Sequence, residues 1–195
     1  MLGGFVGLEL RNPAKREQEV KKGVKIGKYF QSLGAIYLIA ADSGDSRRVR
    51  EAGRVNPAGG LTDAQWESLG AGLNELGALL KPAGVRLVFH NYVETEAETC
   101  RLLDATDAAV VGWCLDCGHL TYGGGDTLRM LQKYGNRVSY VHIKDVDGNF
   151  CAARVKKGGV FMRRSSVLSS RGLGKGWSTS RPWSGHSKTI ATTVG

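Results

Sequence analysis

The sequence lacks an apolar run of the roughly 20 residues that a helix needs to cross a bilayer. Its first residues also lack the basic segment and the small-residue cleavage site of a signal peptide. These two absences argue against a membrane protein and an exported one, and they predict a cytoplasmic location. In that compartment we expect the four cysteines, Cys100, Cys114, Cys117 and Cys151, to be free thiols.

Acidic residues are missing from residues 159–195, which hold six of the 27 lysines and arginines. Residues 1–158 therefore carry 21 basic and 18 acidic residues, a net charge of +3 out of the formal +9. Because the charge excess is confined to this end and no basic segment is interleaved with aromatic residues, we do not expect a nucleic-acid partner. We predict one domain over residues 1–155 and an irregular basic tail over residues 156–195.

The sequence also lacks a Gly-x-Gly-x-x-Gly motif after a strand and a Walker loop, which argues against the common nucleotide-binding folds. It does contain apolar segments that alternate with helical patterns. Strands are predicted at residues 5–10, 35–41, 85–90, 109–116 and 138–144, and helices at residues 13–33, 62–80, 94–103 and 126–134. Such alternation predicts an α/β fold with a parallel sheet and right-handed crossovers. Five units fit an open doubly wound sheet or part of a (β/α)8 barrel, and polar residues at every strand end favour the barrel.

Two of the apolar segments end in side chains that bind metals or transfer protons. Asp116 ends one segment and His142 lies near the end of the next. Because neighbouring parallel strands lie about 5 Å apart, this carboxylate and imidazole could share one divalent cation, Mn²⁺, Co²⁺, Mg²⁺ or Zn²⁺. His119 and Lys144 follow closely and are candidates for proton transfer and for contact with a substrate. The alternative is that Asp116 and His142 only cap the ends of their strands.

Other polar residues near these segments have less specific predicted roles. His90 and Asn91 end the third predicted strand, Asp145 follows the fifth, and all three are predicted to contact substrate. Glu94 is a candidate metal ligand, with a solvated first helical turn as the alternative. A redox or zinc-binding pair is conceivable for Cys114-Leu-Asp-Cys117, but residues three apart on a strand point to opposite faces. We therefore expect two buried, small side chains there.

Asp116-Cys-Gly-His119, followed by Val141-His142-Ile-Lys144-Asp145, resembles the motifs of the xylose-isomerase-like barrels. That family includes sugar isomerases, epimerases and inosose dehydratases, and over residues 5–155 the likeness is greatest to the inosose dehydratases of inositol catabolism. The resemblance implies that Asp116 and His142 hold the metal, and that His119 and Lys144 act on a sugar or cyclitol. It also implies proton abstraction next to a carbonyl, with the metal stabilising the enediolate, and then loss of water. A sugar isomerase or epimerase would share the first step.

The chain departs from this pattern in three places. It corresponds to about strands 3 to 7 of the eight-stranded barrel, it is shorter after His90, and no closing metal-binding Glu follows Asp147. We therefore expect an incomplete metal site, impaired turnover, and open sheet edges that could pair with another chain. Codons for residues 161–195 can be chosen that encode a family-like ending when read one nucleotide earlier, which suggests a frameshift. The alternative is a non-catalytic protein that binds nucleic acid through residues 159–195.

Overall fold

The computed structural model describes residues 2–42, 48 and 60–146, and the backbone of residues 190–192. The strands are β1 (Leu2–Leu8), β2 (Ala35–Asp42), β3 (Arg86–His90), β4 (Val111–Asp116), β5 (Val138–Ile143) and β6 (Ile190–Thr192). The helices are α1 (Arg16–Ser32), α2 (Asp63–Leu80), α3 (Glu96–Ala105), α4 (Cys117–Tyr122) and α5 (Thr127–Tyr134). Short 3-10 turns follow α2 and α5, at Lys81–Ala83 and Gly135–Arg137.

The strands form one sheet in the order β1-β2-β3-β4-β5-β6. Strands β1 to β5 are parallel and follow each other in chain order, with helices between them, as in part of a (β/α)8 barrel. The predicted fold class is therefore confirmed. Strand β6 pairs antiparallel with β5, so three residues of the predicted irregular tail form a strand. Residues 147–189 and 193–195, on which the frameshift hypothesis depends, lie outside the described residues.

The two faces of the sheet have different neighbours. The face toward the helices carries the main core, in which Leu38, Phe89 and Trp113 are buried with the apolar residues of α2. The inner face carries a smaller buried group, Ile39, Val88, Cys114 and Tyr140. Because side chains alternate along a strand, the residues two positions after Val88, Cys114 and Tyr140 also lie on this inner face. Those residues are His90, Asp116 and His142, which the sequence predicts to bind the metal or the substrate.

Local capping chemistry sets where the helices begin and end. Thr62 and Gln65 form a capping box at the start of α2, with hydrogen bonds in both directions. The same motif at Thr95 and Glu98 starts α3 at Glu96, two residues later than predicted, so the residue before the cap lies outside the helix. Gly34 follows α1 with a φ of +86°, the left-handed conformation that favours glycine at a helix end.

Strand β1 lies at one edge of the sheet and pairs only with β2 within the part of the chain that is described. Its side chains at Leu2 and Phe5 are exposed by 62% and 52%, which leaves apolar surface at this edge. Pairing with another chain stays a prediction. Among the described helices, none combines the length and the apolar character needed to cross a membrane.

Candidate metal-binding active site

The carboxyl ends of three neighbouring strands bring predicted site residues together. His90 ends β3, Asp116 ends β4, and His142 is the second-last residue of β5. Asp116 and His142 are direct partners in the β4–β5 register. The predicted juxtaposition of this carboxylate and this imidazole is therefore present in the structure, and His90 joins them from the other side of β4.

Three side-chain atoms of this group form a triangle with nearly equal sides. His90 Nε2 lies 3.3 Å from Asp116 Oδ2 and 3.1 Å from His142 Nδ1. His142 Nδ1 lies 3.4 Å from Asp116 Oδ2, which closes the triangle. Ligands bound at about 2.0 Å to a tetrahedral ion lie about 3.3 Å from each other. The triangle has the size of one face of such a coordination sphere, so these residues fit a divalent cation.

Asp116 supplies the negative charge of the site and is completely buried. Its Oδ2 lies 2.6 Å from Lys144 Nζ, and its Oδ1 accepts a hydrogen bond of 2.9 Å from the backbone N–H of His119 at the start of α4. Burial raises the pKa of Asp116, but its hydrogen bonds with His142 and His90 and the positive charge of Lys144 outweigh that effect. These interactions hold the pKa well below its usual range, so Asp116 is a carboxylate at neutral pH.

The two most buried imidazoles of the site are neutral at pH 7. Burial lowers the pKa of His119 to about 3, even though the charge of Asp116 acts in the opposite direction. Burial likewise lowers the pKa of His90 against the hydrogen bond and the charge of Asp116. His119 Nε2 lies 3.8 Å from Asp116 Oδ2, at the border of the triangle. A neutral imidazole has a lone pair, so these rings can bind an ion or accept a proton.

Asn91, predicted to contact substrate, uses its amide group within the protein. Its Oδ1 accepts hydrogen bonds of 3.0 Å from Trp113 Nε1 and from the backbone N–H of Asp116. Its Nδ2 donates a hydrogen bond of 3.0 Å to the backbone oxygen of Asp116. Asn91 is fully buried, and these contacts make it a residue that positions the Asp116 backbone. Its contact with substrate stays a prediction.

Glu94, the further predicted metal ligand, is not brought into the triangle. Its Oε2 accepts hydrogen bonds of 2.9 and 3.1 Å from the backbone N–H groups of Tyr92 and Val93. Its Oε1 lies 3.9 Å from Arg48 Nη2. Burial, followed by the charge of Asp42, raises the pKa of Glu94 to about 7. Among the described residues, the groups whose ligand atoms lie within 4.8 Å of one another do not include Glu94.

Among Lys144, His119 and His142, which all lie within 4 Å of Asp116, Lys144 is the most accessible. Its side chain is 34% exposed, against 8% for His119 and 13% for His142. It therefore lies between Asp116 and the solution, where an incoming molecule would meet it. Asp145 follows it and is partly buried. The predicted substrate contact of Asp145 stays a prediction.

One ligand-type residue of the cluster is missing from the site predicted from the sequence. Cys114 is fully buried, as expected, but its Sγ also lies within 4.8 Å of ligand atoms of His90 and His142. The two-residue period of a strand could have indicated this, because Cys114 precedes Asp116 by two positions and shares its face. Cys117, one residue after Asp116, is partly buried, and the cysteines in the described part of the chain are free thiols, as predicted.

Comparison with known proteins is consistent with this geometry. A sequence model of the family described as xylose isomerase-like TIM barrel matches residues 1–174. The inosose dehydratase of Geobacillus kaustophilus (strain HTA426) is 34% identical over 151 aligned positions, and the match covers 73% of this chain and 48% of that protein. The chain thus spans about half the length of the curated relatives it matches.

Solved structures share the fold at low sequence identity. A sugar phosphate isomerase/epimerase from Parabacteroides distasonis superposes with a TM-score of 0.59 at 16% identity, over 83% of this chain and 60% of that one. The IOLI protein, whose crystal structure contains a bound zinc atom, superposes with a TM-score of 0.53 at 18% identity, over 75% of this chain and 51% of its own.

Proposed function

Because this chain belongs to the xylose isomerase-like TIM barrel family, we propose that it carries the metal-binding part of a lyase of the inosose dehydratase type. The observation that carries the proposal is the triangle of His90 Nε2, Asp116 Oδ2 and His142 Nδ1. It lies at the carboxyl ends of the strands, where barrels of this kind have their active sites. The proposed substrate is a small sugar or cyclitol with a carbonyl group.

The three residues of the triangle would hold a divalent cation, Mn²⁺, Co²⁺, Mg²⁺ or Zn²⁺. Such a cation supplies Lewis acidity that polarises a carbonyl oxygen. Two imidazole nitrogens and one carboxylate suit each of these ions, although the softer members of the series prefer imidazole. Asn91 fixes the backbone of Asp116 and thereby the position of the carboxylate.

Proton transfer would fall to His119 and Lys144. His119 Nε2 lies 3.8 Å from Asp116 Oδ2 at the border of the triangle, and the lone pair of its ring would take the proton from the carbon next to the carbonyl. Lys144 lies on the solvent side of Asp116, where its ammonium group can donate a hydrogen bond to a substrate oxygen and a proton to the departing hydroxyl group. A cation held by Asp116 would offset part of the carboxylate charge, so the ion pair with Lys144 would weaken and the Lys144 side chain would turn toward substrate.

The cation site is tested by measuring bound Mn²⁺ and Co²⁺ after dialysis. Asp116→Ala and His142→Ala should each remove most of the bound ion, because each deletes one corner of the triangle. Asp63→Ala is the matched control, since Asp63 is an exposed carboxylate paired with Arg101 at the protein surface. If both site variants retain as much metal as the control, the triangle is not the cation site.

The reaction is tested by incubating the metal-loaded chain with an inosose in deuterated water. A dehydratase forms a product lighter by one water, whereas an isomerase or epimerase incorporates deuterium without that loss. His119→Ala should abolish both signals, because both reactions begin with the same proton abstraction. Deuterium incorporation without water loss would reject the dehydratase in favour of the isomerase or epimerase.

The share of its relatives' length that the chain covers affects the turnover we expect in this assay. It covers 48% of the Geobacillus relative, so we expect slower turnover than that of a full-length relative measured under the same conditions. The cytoplasmic location and pairing through the β1 edge stay predictions. The nucleic-acid alternative concerns residues outside the described part of the chain, and a steep salt dependence of DNA binding would favour it.

A further inference from the structure

We propose that Cys114 is a thiolate ligand which, with His90 and His142, makes the centre selective for zinc and other thiophilic divalent ions. The proposal rests on the cation site proposed above and adds a ligand to it. The Sγ of Cys114 and one ring nitrogen of each histidine all lie within 4.8 Å of one another. Cys114 and His90 are direct partners in the β3–β4 register, so the strand pairing itself places them side by side.

Cys114 and Asp116 both lie close to these two imidazoles. The two residues are two positions apart on β4 and share its inner face. His90 Nε2 and His142 Nδ1 approach each other to 3.1 Å. An ion bound to both imidazoles would therefore have the Cys114 sulfur within reach as a further ligand of the kind that zinc prefers.

The sulfur ligand discriminates between the ions that could bind here. Thiolates bind zinc and cobalt well, whereas Mg²⁺ takes oxygen ligands and gains nothing from sulfur. With a hard ion, Cys114 stays out of the coordination sphere and a position remains open for substrate. With zinc, the Cys114 thiolate would occupy one of the positions that a hard ion leaves open. The same cluster would thus hold two kinds of ion in two different ways.

The chemistry of the thiol is consistent with a role that depends on the ion. Cys114 is completely buried, so its thiol does not meet reagents in solution. When zinc binds, the S–H bond breaks, an S–Zn bond forms and the proton passes to the solvent. The step needs no oxidant or reductant.

Cobalt spectroscopy tests the ligand directly. Titration of the metal-free full chain with Co²⁺ should produce a thiolate-to-cobalt charge-transfer band in the near ultraviolet, together with the visible bands of four-coordinate cobalt. Cys114→Ser should lose the charge-transfer band and keep bound cobalt. The matched controls replace the other thiols one at a time: Cys100→Ser, Cys117→Ser and Cys151→Ser, the last in a segment outside the described residues. Each control should keep the band.

Ion affinity provides the second readout. Cys114→Ser should lower the affinity for zinc by about tenfold or more and leave the affinity for Mg²⁺ unchanged, with circular dichroism used to confirm that the variant is folded. Bound cobalt without a charge-transfer band in the unmodified chain would overturn the role of Cys114 but not the cation site. Unchanged zinc affinity in Cys114→Ser would also overturn the role of Cys114 and leave the cation site intact. A chain that binds no cobalt would refute the cation site itself, and the thiolate ligand with it.

Discussion

Glu94 offers a test of how its buried surroundings act on a single carboxyl group. Glu94→Gln removes the charge but keeps the shape of the side chain and an oxygen that can accept the hydrogen bonds from Tyr92 and Val93. The carboxyl group is completely buried, with Asp42 raising its pKa and Arg48 lowering it. The substitution therefore isolates the free energy of holding this charge inside the protein.

The magnitude follows from the pKa of about 7 in the folded chain against 4.5 for the ordinary group. Since a tenfold change in a proton equilibrium is worth about 1.4 kcal/mol, ionising Glu94 costs the folded state about 3 kcal/mol more than the unfolded one. A raised pKa means that the folded state favours the protonated acid. Its contribution to stability is thus fully present below pH 4.5 and is lost as the pH rises through about 7.

Urea unfolding at a series of pH values, with a chelator present, measures this effect through the extrapolated free energy of unfolding. Glu94→Gln should be more stable than the unmodified chain by up to about 3 kcal/mol above pH 7, and the difference should shrink toward zero near pH 4.5. Glu75→Gln, at an exposed position of α2, is the control and should show no such pH-dependent difference. A difference that does not vary with pH would show that folding does not raise the pKa of Glu94. A Gln variant that is less stable at high pH would show that the charge of Arg48 outweighs burial.

Further substitutions test the supporting structure. Asn91→Ala should lower the free energy of unfolding by about 3–6 kcal/mol, because it leaves three buried hydrogen-bonding groups unsatisfied. The affinity for the cation should fall as well. An unchanged free energy of unfolding in urea would contradict the role of Asn91 in positioning the Asp116 backbone. Gly77→Ala should lower the free energy of unfolding by about 1–3 kcal/mol, because its Cβ would lie 2.5 Å from a backbone oxygen. In the same helix, a Cβ at Gly70 would have no neighbouring atom nearer than 3.5 Å, so Gly70→Ala should stabilise the chain by up to about 1 kcal/mol in the same assay. Equal changes in stability for the two alanine variants would refute the close contact at Gly77. Lys144→Met should lower the stability of the metal-free chain by about 1–2 kcal/mol, less than for a fully buried pair because Lys144 is partly exposed. Calorimetry should also show tighter Mn²⁺ binding, since the ammonium group no longer competes for Asp116, and weaker binding would argue against that competition.

The regular elements could be predicted from the sequence because their signals are local. The continuous apolar run at residues 35–41 predicts β2, and Thr62 with Gln65 predicts the start of α2, since both depend on neighbouring residues only. Short elements escape this reasoning. Helix α4 has six residues and no room for an amphipathic repeat, so its existence depends on the cap that Asp116 provides. Strand β1 extends back to Leu2 through two glycines because pairing with β2 outweighs their low strand propensity.

By itself, the sequence determined that polar side chains of the types that can bind metals stand where parallel strands end, since chain order and the alternation of side chains are enough to place Asp116 beside His142. Only the tertiary structure decided which groups meet. The register of β3 on β4 brings His90 across to His142 and places Cys114 next to both. Burial decided that Asn91 holds the backbone of Asp116 and that Glu94 contacts other charges instead of the triangle. These outcomes depend on contacts between residues far apart in the chain, which local sequence patterns do not encode.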